Sequence, residues 1–184
     1  MFFLFDESSI FIASCRHRMV LAVCDMIKSG ELFVMFLTCF NDVLMFQFSA
    51  KYALAVVKCL IDLAGKKIGC AYDIGSVFET TLHGTSLKQL VDSNQFRLMV
   101  GAFDGHAHNR SCQLQWHPTY IEGTGHTEGE GCEHVFSSSN ELARSARHAS
   151  RFHWHQMIEE HFIFWNEDKY ANLSELCCFS IVCH

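Results

Sequence analysis

The sequence is short of proline, of charge and of paired cysteines. Its 184 residues hold a single proline, Pro118, so proline punctuates little of the chain. Charged residues make up only 18%, and the formal net charge is -6 with histidine neutral. That balance argues against a stand-alone nucleic-acid binder working through a basic surface. No CxxC pair occurs; the ten cysteines are scattered singly apart from Cys177-Cys178, as in reduced intracellular proteins rather than secreted disulfide frameworks. Long apolar runs are missing too. The longest, Leu32 to Phe48, is broken by Asn41-Asp42 and is shorter than a membrane span needs. The opening MFFLF is too short for a signal h-region and runs into Asp6 and Glu7. A soluble chain without a membrane partner is expected, and internal repeats are absent.

What the chain does have is apolar bulk and histidine. Hydrophobic residues reach 49%, enough for one core, and the length favours one domain. SIFIASCRHRMVLAVCDMIK reads as two β-rich runs with a turn near Cys15 to Arg18. AKYALAVVKCLIDLAGKK places Leu54, Val57, Leu60, Ile61 and Ala64 on one helix face, with Gly65 where the helix should stop. IGCAYDIG reads as a short buried strand ending in Asp73, and SLKQLVDSNQF as a helix with Ser86 near its start. TEGEGCEHVF opens with acids and continues into a helix-compatible pattern. RFHWHQMIEEHFIFWNEDKYANL reads as the longest helix, with Phe152, Met157, Phe162 and Trp165 as core residues.

The densest set of metal-ligand types lies in FDGHAHNRSCQLQWHP, Phe103 to Pro118, which holds Asp104, His106, His108, Cys112 and His117. On a helix, Asp104, His108 and Cys112 form one stripe; on a strand, His106 and His108 share a face instead. A zinc cage, a hydrogen-bonded polar patch and a cysteine hydrolase all remain open on residue type alone. The hydrolase reading pairs Cys112 with His108 or His117, but nothing nearby supplies an oxyanion hole. Cys15 and His17 offer two further ligand types, which do not by themselves make a site. His148, His153, His155 and His161 suit solvated or capping roles along the last helices. Arg144, Arg147 and Arg151 recur at three- and four-residue intervals, as a basic stripe or an ordinary solvated face.

Four runs together resemble the transposases of the Kyakuja-Dileera-Zisupton (KDZ) group, abundant in fungal genomes. They are FDESSIFIASCRHRMVLAVCDMIKSGEL, AKYALAVVKCLIDLAGKKIGCAYDIG, VGAFDGHAHNRSCQLQWHPTYIEGTG and TEGEGCEHVFSSSNELARSARHASRFHWHQMIEEHF, in the family's order between Phe5 and Leu173. The resemblance implies an α/β chain with a partial RNase H-like fold, a mixed sheet flanked by helices on which separate acids converge. It implies Mg²⁺ or Mn²⁺ as cofactor, no small-molecule cofactor, DNA as partner, a nuclear location for a working copy, and phosphodiester cleavage and transfer. By motif, Asp73 is similar to the second catalytic carboxylate and Glu130 to the third, with Glu133 as the alternative. If a helix includes both, Glu130 and Glu133 share a face.

The departures from the pattern matter as much. The family's first catalytic aspartate lies on a strand upstream of the FDES-like segment, where this chain begins, so a truncated and inactive copy is expected. Residues 33–49 intervene where SGEL normally meets AKY, as an insertion or retained intron would, and the tail at 174–184 diverges. The family normally has histidine at Asp104 and cysteine at Ser76, completing a zinc set with His108 and Cys112. Here two of those four positions differ, so His106 or His117 would have to substitute. The alternative reading is a non-catalytic zinc- or DNA-binding module.

Overall fold

The computed structural model describes residues 7–27, 44–124, 127–146 and 149–182. For residues 7–9, Ile27, 44–49, Ala143 and 174–182 only the backbone is described. Two small two-stranded sheets and many helices make a mixed α/β chain. It divides into two compact units, one of Asp6–Ile12 and Ala22–Glu130, the other including Ala13–Leu21 and Gly131–His184.

Strands β1 (Glu7–Ser14) and β2 (Val20–Ile27) pair as a hairpin. Its turn falls where the sequence places it. The Cys15 N–H donates to the Met19 carbonyl at 2.9 Å, and Arg18 takes a positive φ of 65°. Helix α1 (Leu44–Ala64) follows. Its core face is Ala53, Val56, Val57, Leu60 and Ile61, while Ala64 is exposed. Burying each larger aliphatic there contributes about 1.5–3 kcal/mol, and an aspartate at Val57 would reverse that gain. Gly65 ends the helix in the left-handed region, φ 75°, with its N–H on the Ile61 carbonyl at 2.9 Å.

A parallel unit comes next. Strand β3 (Gly69–Ala71) leads into α2 (Gly75–His83) and α3 (Lys88–Asn94), and β4 (Arg97–Met99) returns beside it. Gly69 pairs with Arg97, Cys70 with Leu98 and Ala71 with Met99. The core gathers Ala53, Val57 and Ile61 of α1, Phe78 and Leu82 of α2, Val91 of α3, and Phe96 and Leu98. Contrary to the sequence reading, β3 itself is exposed at Gly69 and only half-buried at Cys70 and Ala71. The apolar cover lies on its neighbours, and Leu98 and Met99 of β4 are the buried strand residues.

After β4 come two short helices, α4 (Ala102–Gly105) and α5 (Arg110–Trp116), then a 3-10 turn at Pro118–Tyr120. In the other unit, α6 (Gly131–Ser138), α7 (Asn140–Ala146) and α8 (Arg151–Val182) follow. Their core is Val135, Ala146, Ile158 and Phe162. Of the four core residues expected on α8, Phe162 is buried and Met157 and Trp165 are half-buried, but Phe152 is 73% exposed. Phe152 lies in the first turn and off the Ile158–Phe162 face. The Asn166 amide donates to the Val20 carbonyl at 2.9 Å and accepts the Val20 N–H at 2.8 Å, mimicking a strand partner. The Trp165 indole N–H donates to the Arg18 carbonyl at 2.7 Å.

Most of residues 33–49 lies outside the described residues, and α1 already runs from Leu44 across the expected boundary at Ala50. Helix α8 likewise crosses Leu173 without a break.

Candidate metal centre

Asp73 stands two residues beyond β3, and Asp104 stands in α4 just beyond β4. Both therefore sit past the carboxyl ends of two adjacent parallel strands, where open α/β sheets place ligands. The pairing runs on past the strands, with the Tyr72 N–H donating to the Met99 carbonyl at 2.9 Å. Tyr72 is held edge-on between Phe11 and Phe78, with ring centroids at 5.9 and 5.5 Å. Gly75 then closes the turn onto the Tyr72 carbonyl at 2.7 Å. A β-carbon on Gly75 would stand 2.6 Å from the Met99 carbonyl oxygen, so this close approach requires glycine.

These constraints bring a carboxylate oxygen of Asp73 within 4.8 Å of one of Asp104. Asp73 is exposed and Asp104 half-buried. Two anionic groups so close repel, and a divalent cation between them relieves the repulsion. The oxygen-only donor pair suits a hard ion such as Mg²⁺ or Mn²⁺.

Glu130 reaches the same end of the sheet. Its Oε1 accepts the Phe103 N–H at 3.1 Å, and the Ala102 N–H donates to the Glu128 carbonyl at 2.7 Å. Gly101 leaves room for the Glu130 carboxylate, which a β-carbon there would overlap. Gly129, at φ 77°, lies against the Ala71 β-carbon in the same way. Helix α6 begins at Gly131, so Glu130 precedes it and does not share a helical face with Glu133. Glu133 lies in the first turn of α6, in the other unit.

The histidine–cysteine stretch is neither the single helix nor the strand that its spacing allows. Asp104 is on α4, His108 is in the turn that follows, and Cys112 is on α5. Asn109 caps α5, accepting the Cys112 N–H at 2.9 Å. His108 Nδ1 and Cys112 Sγ lie 3.1 Å apart. Gln113 clamps the turn by donating to the carbonyls of His106 at 3.1 Å and His108 at 2.8 Å. Among the described residues, no third histidine, cysteine or carboxylate completes a ligand set with His108 and Cys112.

His117 is buried, and both its ring nitrogens are engaged. Nδ1 accepts the Thr119 N–H at 3.2 Å, so Nε2 carries the proton and donates to the Ala102 carbonyl at 3.0 Å. That bonding removes His117 as a substitute ligand. His106 is exposed and lies against the His117 ring, centroids 4.9 Å apart. Cys15 is half-buried and His17 exposed.

The helices end the idea of one continuous arginine stripe. Arg144 is on α7 and pairs with Glu141 at 3.4 Å, Arg151 opens α8, and Arg147 lies outside the described residues. His153 takes a capping role, its Nδ1 2.7 Å from the Ser150 hydroxyl, and His161 Nε2 lies 2.9 Å from the Ser139 hydroxyl. His148 lies outside the described residues. Asn109, Gln113 and the close-packed glycines were not singled out from sequence. Asn109, three residues before Cys112, carried a readable N-cap signal.

A family model described as Kyakuja-Dileera-Zisupton transposase matches residues 1–166. The chain belongs to the KDZ transposase family. The match spans both units and every candidate site residue named above. No curated protein and no solved structure matches the chain. A KDZ transposase deals with DNA, and among the described residues no helix is long and apolar enough to cross a membrane.

Proposed function

We propose that this KDZ chain carries part of a divalent-metal centre for cleaving and joining DNA strands, on a partial RNase H-like fold. The observation that carries this reading is the approach of Asp73 and Asp104 within 4.8 Å beyond the ends of β3 and β4. The parallel pair with its helical crossover supports the fold reading. Bound Mg²⁺ or Mn²⁺ supplies activation of the attacking oxygen and stabilisation of the leaving one. Asp73 and Asp104 would hold the ion, and Glu130, steadied by the Phe103 N–H, would be the next carboxylate, with Glu133 as the alternative. The resemblance assigns a further aspartate to a strand preceding Phe5, and two-metal transfer draws on it.

DNA phosphates are the proposed partners of Arg144, Arg147 and Arg151, which fits a nuclear location. The Arg144–Glu141 pair is highly exposed, so a phosphate can replace the glutamate at little cost. Manganese titration followed by electron paramagnetic resonance tests the centre. Wild type should bind Mn²⁺, and Asp73→Asn and Asp104→Asn should each lose it. Equal binding by all three proteins would remove the basis of this reading. Zinc at His108 and Cys112 is a second reading, favoured by their 3.1 Å approach, and metal analysis of purified protein tests it.

A further inference from the structure

At the other end of β4 lies a cleft of about 660 Å³, lined by Glu79, Gln95, Phe96, Arg97, Leu98, Leu114, Gln115 and Trp116. Its size falls within the range of small-ligand sites. Phe96 and Leu98 are buried and make an apolar floor, and the half-buried Trp116 adds an aromatic wall. The rim is polar. No side chain of Glu79, Gln95, Arg97, Gln115 or Trp116 hydrogen-bonds or ion-pairs with another described residue. The backbone beneath is fixed: Phe96 N–H bonds Val91, Arg97 N–H bonds Ile68, and Val100 N–H bonds the Trp116 carbonyl at 3.0 Å. The walls are therefore preformed, while the polar groups around them are uncommitted.

We infer that this cleft binds one unpaired nucleotide of a DNA strand, with preference for an amino-bearing base over thymine. The inference rests on the DNA reading above but uses none of the metal ligands. A nucleotide needs a flat apolar surface for its base, polar groups for the base edge and a cation for its phosphate. The half-buried Trp116 supplies the stacking surface, with buried Phe96 and Leu98 as the apolar floor, and aromatic stacking holds any base. Arg97 meets the phosphate. Glu79 has only acceptors, so it pairs with the exocyclic amino group of cytosine, whereas thymine offers it only an N3–H flanked by two carbonyl oxygens that repel the carboxylate. Gln95 and Gln115 both donate and accept, and so complete either edge. A bare phosphate is a poorer fit, because the one guanidinium shares the cleft with a carboxylate. A lipid is poorer still, given four polar side chains on the rim.

Fluorescence anisotropy of short labelled oligo-dC and oligo-dT, in EDTA and at fixed low salt, tests this. Wild type should bind oligo-dC more tightly than oligo-dT by about tenfold. Glu79→Gln should erase that preference, because its amide also donates to thymine. Trp116→Leu should weaken both by about tenfold or more. Arg97→Ala should weaken both by several-fold, whereas Lys58→Ala, which removes the same charge from the exposed face of α1, should not. Equal affinity for the two oligomers, no binding of either, or indifference to Glu79→Gln and Arg97→Ala would overturn the inference. Should Trp116→Leu fail to fold, the two rim variants carry the test. EDTA separates this result from the metal reading, which stands or falls on manganese binding.

Discussion

Two neighbouring regions are rich in metal-ligand residue types and use them in opposite ways. Beyond β3 and β4, Asp73 and Asp104 turn carboxylate oxygens towards each other within 4.8 Å. A few residues further on, His117 engages both ring nitrogens with backbone groups, and His108 and Cys112 face each other. Residue type is thus a weak guide to a metal site. What distinguishes the regions is what the donor atoms face: carboxylate oxygens approach each other, whereas the His117 nitrogens meet backbone groups. The acids gather beyond the ends of β3 and β4, whereas His117 closes a buried hydrogen-bond network.

The largest effect should come from the glycine that lets the acidic end form. In Gly75→Ala the new β-carbon meets the Met99 carbonyl oxygen, a backbone atom that cannot swing aside. Destabilisation of about 3 kcal/mol is expected, measured by urea denaturation, together with loss of Mn²⁺ binding. A well-folded Gly75→Ala protein with unchanged stability would mean that β3 and β4 do not approach so closely.

Asp73→Asn probes the same end without disturbing its packing. At a Mn²⁺ concentration a hundredfold above its dissociation constant, wild type should gain about 2.7 kcal/mol, and the variant should gain none. Thermal unfolding with and without the ion reads this difference. His117→Leu tests the opposite region. It leaves the Thr119 N–H and the Ala102 carbonyl without their partner, at a cost of about 2 kcal/mol. Its zinc content should equal that of wild type, since His117 acts through hydrogen bonds. A drop in stoichiometric zinc would reassign it as a ligand.

Much of the scaffold was legible because its signals are local. The α1 face follows from apolar spacing, its end from Gly65, and the hairpin turn from the polar step at Cys15 to Arg18. The placement of Asp73 just past a strand and of Glu130 just before a helix came from motif resemblance and matches the backbone. What sequence could not supply was long-range pairing. Asp104 was assigned to the zinc set with His108 and Cys112 by the family pattern, and four-residue spacing allows the three one helix stripe. The chain instead turns between α4 and α5, and the parallel pairing of β3 with β4 carries Asp104 towards Asp73. The arginine spacing left a stripe and a solvated face open, and α7 ends at Ala146 while α8 starts afresh at Arg151, so Arg144 and Arg151 stand on separate helices. Phe152 read as core from its period, yet a helix start can leave its first turn uncovered.

Cys112→Ala should have the smallest effect and divides the two regions most cleanly. Its thiol is half-buried and contacts only the His108 ring at 3.1 Å among the contacts described. The helix start does not depend on it, because Asn109 caps α5 through the Cys112 backbone N–H, which alanine keeps. Losing a weak thiol–imidazole contact should cost about 1 kcal/mol or less. If His108 and Cys112 serve only each other, wild type and variant will carry equal, substoichiometric zinc after purification, and Mn²⁺ binding at Asp73 will be unchanged. If wild type carries one zinc per chain and Cys112→Ala carries none, the loop is a metal site after all. The contrast with the carboxylates would then lie in hard against soft donors alone.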